Sequence, residues 1–202
     1  MQRSRWLSYV LHPVSFSLLW TLFYLWSYPG YISEKQFYII VLIVFVSSFI
    51  LPLLWLFMLY KLGYIDSFHL TSTEERKYPL LINIFLAIGT GRILLQAGNI
   101  PDLALFFIAG GFSLVLTYFF LFFNKKISLH SLGISSITGA LIYRSYTTHT
   151  NYLILIALLF ILMGIVASAR LQLKAHNLQE VLLGSLIGLG SQIIIPLVYQ
   201  NI

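Results

Sequence analysis

The chain has 202 residues, of which 59% are hydrophobic and only 9% charged, and its mean hydropathy is +0.89. Such a composition excludes an ordinary soluble domain and leaves no length for a separate one beside a set of membrane spans. Cysteine is absent, which excludes disulfides, thiol nucleophiles and cysteine metal sites, and the formal charge of +6 is explained mostly by basic loops on one face of a bilayer.

In chain order, apolar segments predict helices over residues 10–28, 37–60, 80–97, 101–123, 131–147, 152–170 and 177–198. At roughly 20 residues per span, this is an all-α polytopic membrane helix bundle of about six to seven transmembrane helices. Residues 1–202 then form a single integral membrane domain. Arg3 and Arg5 precede the first apolar run as they would in a signal peptide. However, Trp20, Phe23, Tyr24, Trp26 and Tyr28 occupy the region where small cleavage-site residues belong, so an uncleaved span with an aromatic belt is expected. Breaks are expected at Tyr28-Pro29-Gly30, at Gly98-Asn99-Ile100-Pro101 and between Thr147 and Asn151.

The longest polar stretch, Lys61 to Pro79, is read as an interfacial segment or a lid. The fifth segment carries Ser131, Ser135, Ser136 and Thr138 and is expected to be buried among other helices. Gly184 and Gly188 form a small-xxx-small pattern suited to packing within the chain. Arg92 and Arg144 lie in apolar stretches and are expected to be structural, with Asp102 as a partner for either. His12, His69 and His149 are read as interfacial.

Alternation of spans places the N-terminus and residues 61–79, 124–130 and 171–176 on one side. Arg3, Arg5, Lys61, Arg76, Lys77, Lys125, Lys126, Arg170 and Lys174 belong with that side, against Lys35, Arg92 and Arg144 with the other. The positive-inside rule makes the first side cytoplasmic. Three polar clusters converge there: Glu74 to Pro79, Lys125 to Ser131, and Arg170 to Glu180. His176 and Glu180, four apart, would share a helix face, so that the carboxylate orients the imidazole. Arg170 offers a planar fork for phosphate oxygens. Two histidines, fixed cations and a carboxylate at one membrane face are what phosphoryl transfer requires.

In these residues the chain resembles the type 2 phosphatidic acid phosphatase superfamily of integral membrane lipid phosphatases, over about residues 70–190; two additional spans fill residues 1–60. That family's third motif is Ser-Arg, five residues, His, three residues, Asp. Here Arg170, His176 and Glu180 keep the spacing, with Ala169 for the serine and glutamate for the aspartate. Its second motif, Pro-Ser-Gly-His, is matched by Ser128 and His130 of Ile127-Ser128-Leu129-His130. The first, Lys, six residues, Arg-Pro, is matched only by Arg76 or Lys77 near Pro79.

The resemblance implies that His176 is the nucleophile, forming a phosphohistidine, that Glu180 orients it, and that His130 is the acid for the leaving group. Arg170, Ser128 and one or both of Arg76 and Lys77 would hold the phosphate, with no metal and no cofactor. The implied partner is a membrane lipid substrate of the phosphatidate, phosphatidylglycerophosphate or polyprenyl diphosphate class, in a bacterial inner membrane; no nucleic acid is expected. The alternative is a catalytically degenerate member that binds anionic lipid or scaffolds a membrane complex. A small transporter would need charges through the middle of the bundle, whereas these crowd toward the helix ends.

Overall fold

The structure is a computed structural model that describes residues 13–28, 30, 32–68, 70, 72–97 and 100–200. Arg3, Arg5, His12, Pro29, His69, Gly98 and Asn99 lie outside the described residues. Among the described residues there is no strand. The helices are α1 (Pro13–Trp26), α2 (Glu34–Lys61), α3 (Thr73–Gln96), α4 (Pro101–Leu121), α5 (Leu129–Thr148), α6 (Leu153–Gln172) and α7 (Leu178–Gln200). Five of them, α2, α3, α4, α6 and α7, are long and apolar enough to cross a bilayer, which makes the chain an integral membrane protein.

The helix starts follow from local chemistry. Ser33 caps α2 in a capping box with Gln36, which moves its start three residues before the apolar run at 37. Ser72 and Glu75 form a second box and start α3 at Thr73, so the latter part of the expected lid is helix. Pro79 lies inside α3, where it removes one rung of the ladder and its ring crowds the carbonyl four residues before it. In α2, residues Val46–Ile50 make a π turn before Pro52, with the Leu51 N–H donating to the Val46 carbonyl five residues back.

Three helix ends, those of α2, α4 and α6, share one device. The Tyr64 N–H reaches the Leu59 carbonyl (3.0 Å), that of Lys125 reaches Phe120 (3.1 Å), and that of Ala175 reaches Arg170 (3.2 Å). Each is the six-to-one bond of a Schellman turn, whose preceding residue must adopt a left-handed backbone. Gly63 (φ 75°), Asn124 (φ 54°) and Lys174 (φ 51°) fill those positions.

The chain forms two compact units, one of Ser17–Lys125 and the other of Lys126–Ile202 with the stretch ending at Phe16. In the first, α3 and α4 pack closely because a Cβ on Gly91 would meet the Ala104 carbonyl at 2.8 Å. Leu103 and Ala104 are wholly buried, and Trp20 stacks on Phe106 at 5.4 Å between ring centroids. In the second unit, α5 and α7 approach even more closely. A Cβ on Gly188 would lie 2.3 Å from the Leu132 carbonyl oxygen, and one on Gly184 would lie 2.7 Å from that of Ser128. The Gly184/Gly188 pattern thus serves packing within the chain. Phe16, Ile134 and Val166 form an apolar core in this unit, with Leu159, Leu162 and Met163 against it.

The sequence expectation for α5 is met. Ser131, Ser135, Ser136, Thr138 and Arg144 are all buried. Its hydroxyls mostly satisfy themselves on the helix, Thr138 Oγ1 donating to the Ile134 carbonyl (2.9 Å) and Ser135 Oγ to that of Leu132 (3.0 Å). His149 ends α5 in a left-handed backbone (φ 51°) and is exposed, as an interfacial residue would be.

Candidate active site

Two segments of the second unit, 126–128 and 170–180, meet at the N-terminus of α7 and bring together His176, Glu180 and the main chain of Ser128. The Schellman turn after α6 folds the Arg170 carbonyl onto the Ala175 N–H, one residue before His176. Asn177 then caps α7: its Oδ1 accepts from the Glu180 N–H (2.9 Å), and Glu180 Oε2 accepts from the Asn177 N–H (3.2 Å). This is a capping box with asparagine in place of the usual hydroxyl residue.

Glu180 does more than cap. Its other oxygen, Oε1, accepts from the Lys126 N–H (3.0 Å), and its main-chain carbonyl accepts from the Ser128 N–H (3.1 Å). Both oxygens of one carboxylate are therefore fixed by main chain from segments far apart in sequence. Glu180 is 6% exposed and His176 8%; the contact between them is buried, and the bonds from the Lys126 and Asn177 N–H groups are partly so.

His176 Nδ1 lies 2.8 Å from the Lys126 carbonyl oxygen and 3.2 Å from Glu180 Oε2. A carbonyl oxygen can only accept, as can an ionised carboxylate, so Nδ1 carries the proton. The neutral ring then holds its lone pair on Nε2, the tautomer required for attack through that nitrogen. The expected His176–Glu180 pair is present, but it does not form along a helix face. His176 precedes the cap of α7, and the contact is made as the chain turns into the helix.

Ser128 caps α5, and its hydroxyl accepts from the Ser131 N–H (3.3 Å) and from Ser131 Oγ (3.0 Å). It is wholly buried. His130 stands two residues further on, in the first turn of α5, and is partly exposed. Chain geometry keeps its Cα within ~7.6 Å of that of Ser128.

Arg76 and Lys77 belong to the other unit, on the second turn of α3. There Arg76 Nε donates to the Leu70 carbonyl (3.1 Å), and Lys77 Nζ pairs with Glu74 at 2.7 Å and lies over the Phe122 ring at 6.0 Å.

Two participants were not apparent from side-chain chemistry. Lys126 acts through its main chain, donating to Glu180 and accepting from His176, which no residue-type pattern reveals. Asn177 did leave a signal: Asn177-Leu178-Gln179-Glu180 has the spacing of a capping box at the start of an apolar run. Comparison with family models, curated proteins and solved structures yields no match to this chain.

Proposed function

We propose that the protein is a membrane lipid phosphatase that hydrolyses a lipid phosphate monoester or diphosphate through a phosphohistidine. The observation that carries this reading is His176 Nδ1 between two acceptors, the Lys126 carbonyl and Glu180 Oε2, which leaves the nucleophilic lone pair on Nε2. In the reaction, Nε2 attacks phosphorus as the bond from phosphorus to the leaving oxygen breaks, and that oxygen takes a proton from His130. Water then attacks the phosphohistidine, the N–P bond breaks, inorganic phosphate leaves and His130 recovers a proton from the water. Arg170, at the end of α6, supplies positive charge for the phosphoryl oxygens.

In this reading, α5 and the N-terminal segment bring the spans to six or seven, and the chain resides in a bacterial inner membrane with the site facing the cytoplasm, as the distribution of basic residues supports. Substrate enters sideways from the bilayer. Phosphatidate, phosphatidylglycerophosphate and polyprenyl diphosphates are the classes to test, and a cytoplasmic site favours the glycerolipids.

The test is phosphate release by the purified protein from a panel of these lipids, beside His176→Ala and His130→Ala. Turnover abolished by His176→Ala and strongly reduced by His130→Ala is expected. Activity that survives His176→Ala, or no turnover on a broad panel, refutes the mechanism. A second reading, a non-catalytic member that binds anionic lipid, is favoured by Ser128, whose hydroxyl is wholly buried and serves α5 as its cap.

A further inference from the structure

The glutamate at position 180 departs from the aspartate of the family pattern, and its geometry gives that departure a purpose. Oε1 takes the Lys126 N–H at 3.0 Å, from a segment 54 residues away, while Oε2 takes the Asn177 N–H and His176 Nδ1, each at 3.2 Å. The Lys126 carbonyl returns to the same imidazole at 2.8 Å. The two oxygens thus face partners on opposite sides, one local and one remote. An aspartate would withdraw its carboxylate by ~1.5 Å toward its own main chain. That withdrawal exceeds what the 3.0 Å bond to the remote Lys126 N–H can stretch, whereas Asn177 lies on the same turn as residue 180 and can move with it.

We propose that Asn177, Glu180 and the main chain of Lys126 form a clasp that holds the 126–128 segment against His176, and that a glutamate is required to close it. Asn177 is a positioning residue: its Oδ1 holds the Glu180 N–H and its own N–H holds Oε2, so it sets the carboxylate that sets the imidazole. Ser128, bonded through its N–H to the Glu180 carbonyl, carries the same restraint into the first turn of α5, where His130 stands. The clasp therefore couples the positions of the two histidines. Restoring aspartate is a loss here, not a repair.

The catalytic consequence rests on the phosphatase reading, but the clasp itself does not, so the test has two arms. In the first, the full chain in nanodiscs of phosphatidylethanolamine and phosphatidylglycerol is followed by amide hydrogen exchange with peptic fragments covering residues 124–131. Glu180→Asp and Asn177→Ala are expected to exchange at least tenfold faster than the parent over Lys126 to Ser128, and Asn177→Ser, which keeps a capping oxygen, to return toward the parent rate. In the second arm, turnover of dioctanoyl phosphatidate is measured. Glu180→Asp is expected to lose about a hundredfold in kcat with KM little changed, the scale of a 1 Å misplacement at a reacting group.

Exchange in Glu180→Asp equal to the parent overturns the clasp, as does an increase in its turnover. Exchange in Asn177→Ala equal to the parent, or unrelieved by Asn177→Ser, removes Asn177 from it. Faster exchange in Glu180→Asp with a parent that turns over no lipid phosphate supports the clasp and refutes the phosphatase reading.

Discussion

Gly188 and Gly164 pose the same substitution in opposite surroundings. A Cβ at Gly188 would lie 2.2 Å from Ser135 Oγ and 2.3 Å from the Leu132 carbonyl oxygen, whereas a Cβ at Gly164 meets nothing within 4 Å. The serine can rotate away, but the carbonyl belongs to α5 itself and cannot. Reaching the 3.4 Å of an ordinary contact requires α5 and α7 to part by about 1.1 Å, enough to forfeit a quarter to a half of each dispersion contact along the seam. Overpacking of this kind costs about 1–3 kcal/mol, and a main-chain obstacle puts Gly188→Ala at the upper end.

Alanine in place of glycine returns at most about 1 kcal/mol of helix propensity, so Gly188→Ala should be destabilising by about 2 kcal/mol and Gly164→Ala neutral or slightly stabilising. The assay is unfolding of both variants in mixed micelles by titration with dodecyl sulfate, followed by circular dichroism. Because the first turn of α7 carries Glu180, Gly188→Ala should also loosen the 126–128 segment, visible as faster amide exchange there. Equal stabilities for the two variants would refute the close α5–α7 approach on which the site is built.

Other expectations are simpler. Glu180→Ala takes the acceptor from two partly buried main-chain donors, Lys126 N–H and Asn177 N–H, and at up to about 1–3 kcal/mol each it should cost roughly 2–6 kcal/mol in the same titration. Lys174, in a left-handed backbone at φ 51°, should gain up to about 1 kcal/mol when replaced by glycine, which has no Cβ to strain there. A loss of stability in Lys174→Gly would mean that its side chain makes a contact worth more than the strain. Ser128→Ala removes the cap of α5 and should cost about 0.5–2 kcal/mol. If the hydroxyl serves only that helix, kcat falls no further than the folded fraction does.

The helices were legible because an apolar run longer than a bilayer is thick has few other uses, and their boundaries erred where polar caps extend helix into polar sequence. Ser72 and Glu75 made two turns of helix out of a stretch whose composition reads as loop. The contact of His176 with Glu180 was legible from spacing and rarity, since so few charged groups occur in the chain. Two features escaped the sequence for physical reasons. The carbonyl and N–H of Lys126 are common to every residue, so only the fold can reveal that they are used. The route by which His176 reaches Glu180, a turn into the helix and not a helix face, depends on where Asn177 starts α7.

A second capping box among the described residues also reaches beyond its own helix, and the contrast isolates what burial contributes. Glu75 is, like Glu180, the third residue of a capped helix; its Oε2 accepts from the Ser72 N–H (3.1 Å) and its Oε1 reaches outside the helix to the Asp66 N–H (2.9 Å). Both bonds lie in exposed surroundings, so in Glu75→Ala the abandoned donors can turn to water. The cost is then the net value of two hydrogen bonds, about 1–3 kcal/mol in total, less than the roughly 2–6 kcal/mol expected at the buried Glu180. Should Glu75→Ala prove as destabilising as Glu180→Ala, burial would not be what distinguishes the two. Glu180 also has the imidazole of His176 as a partner. A carboxylate already fixed by two main-chain donors has little freedom to follow the ring, so the ring must conform to the carboxylate. The capping box at α7 thereby becomes the part of the fold that orients the proposed nucleophile.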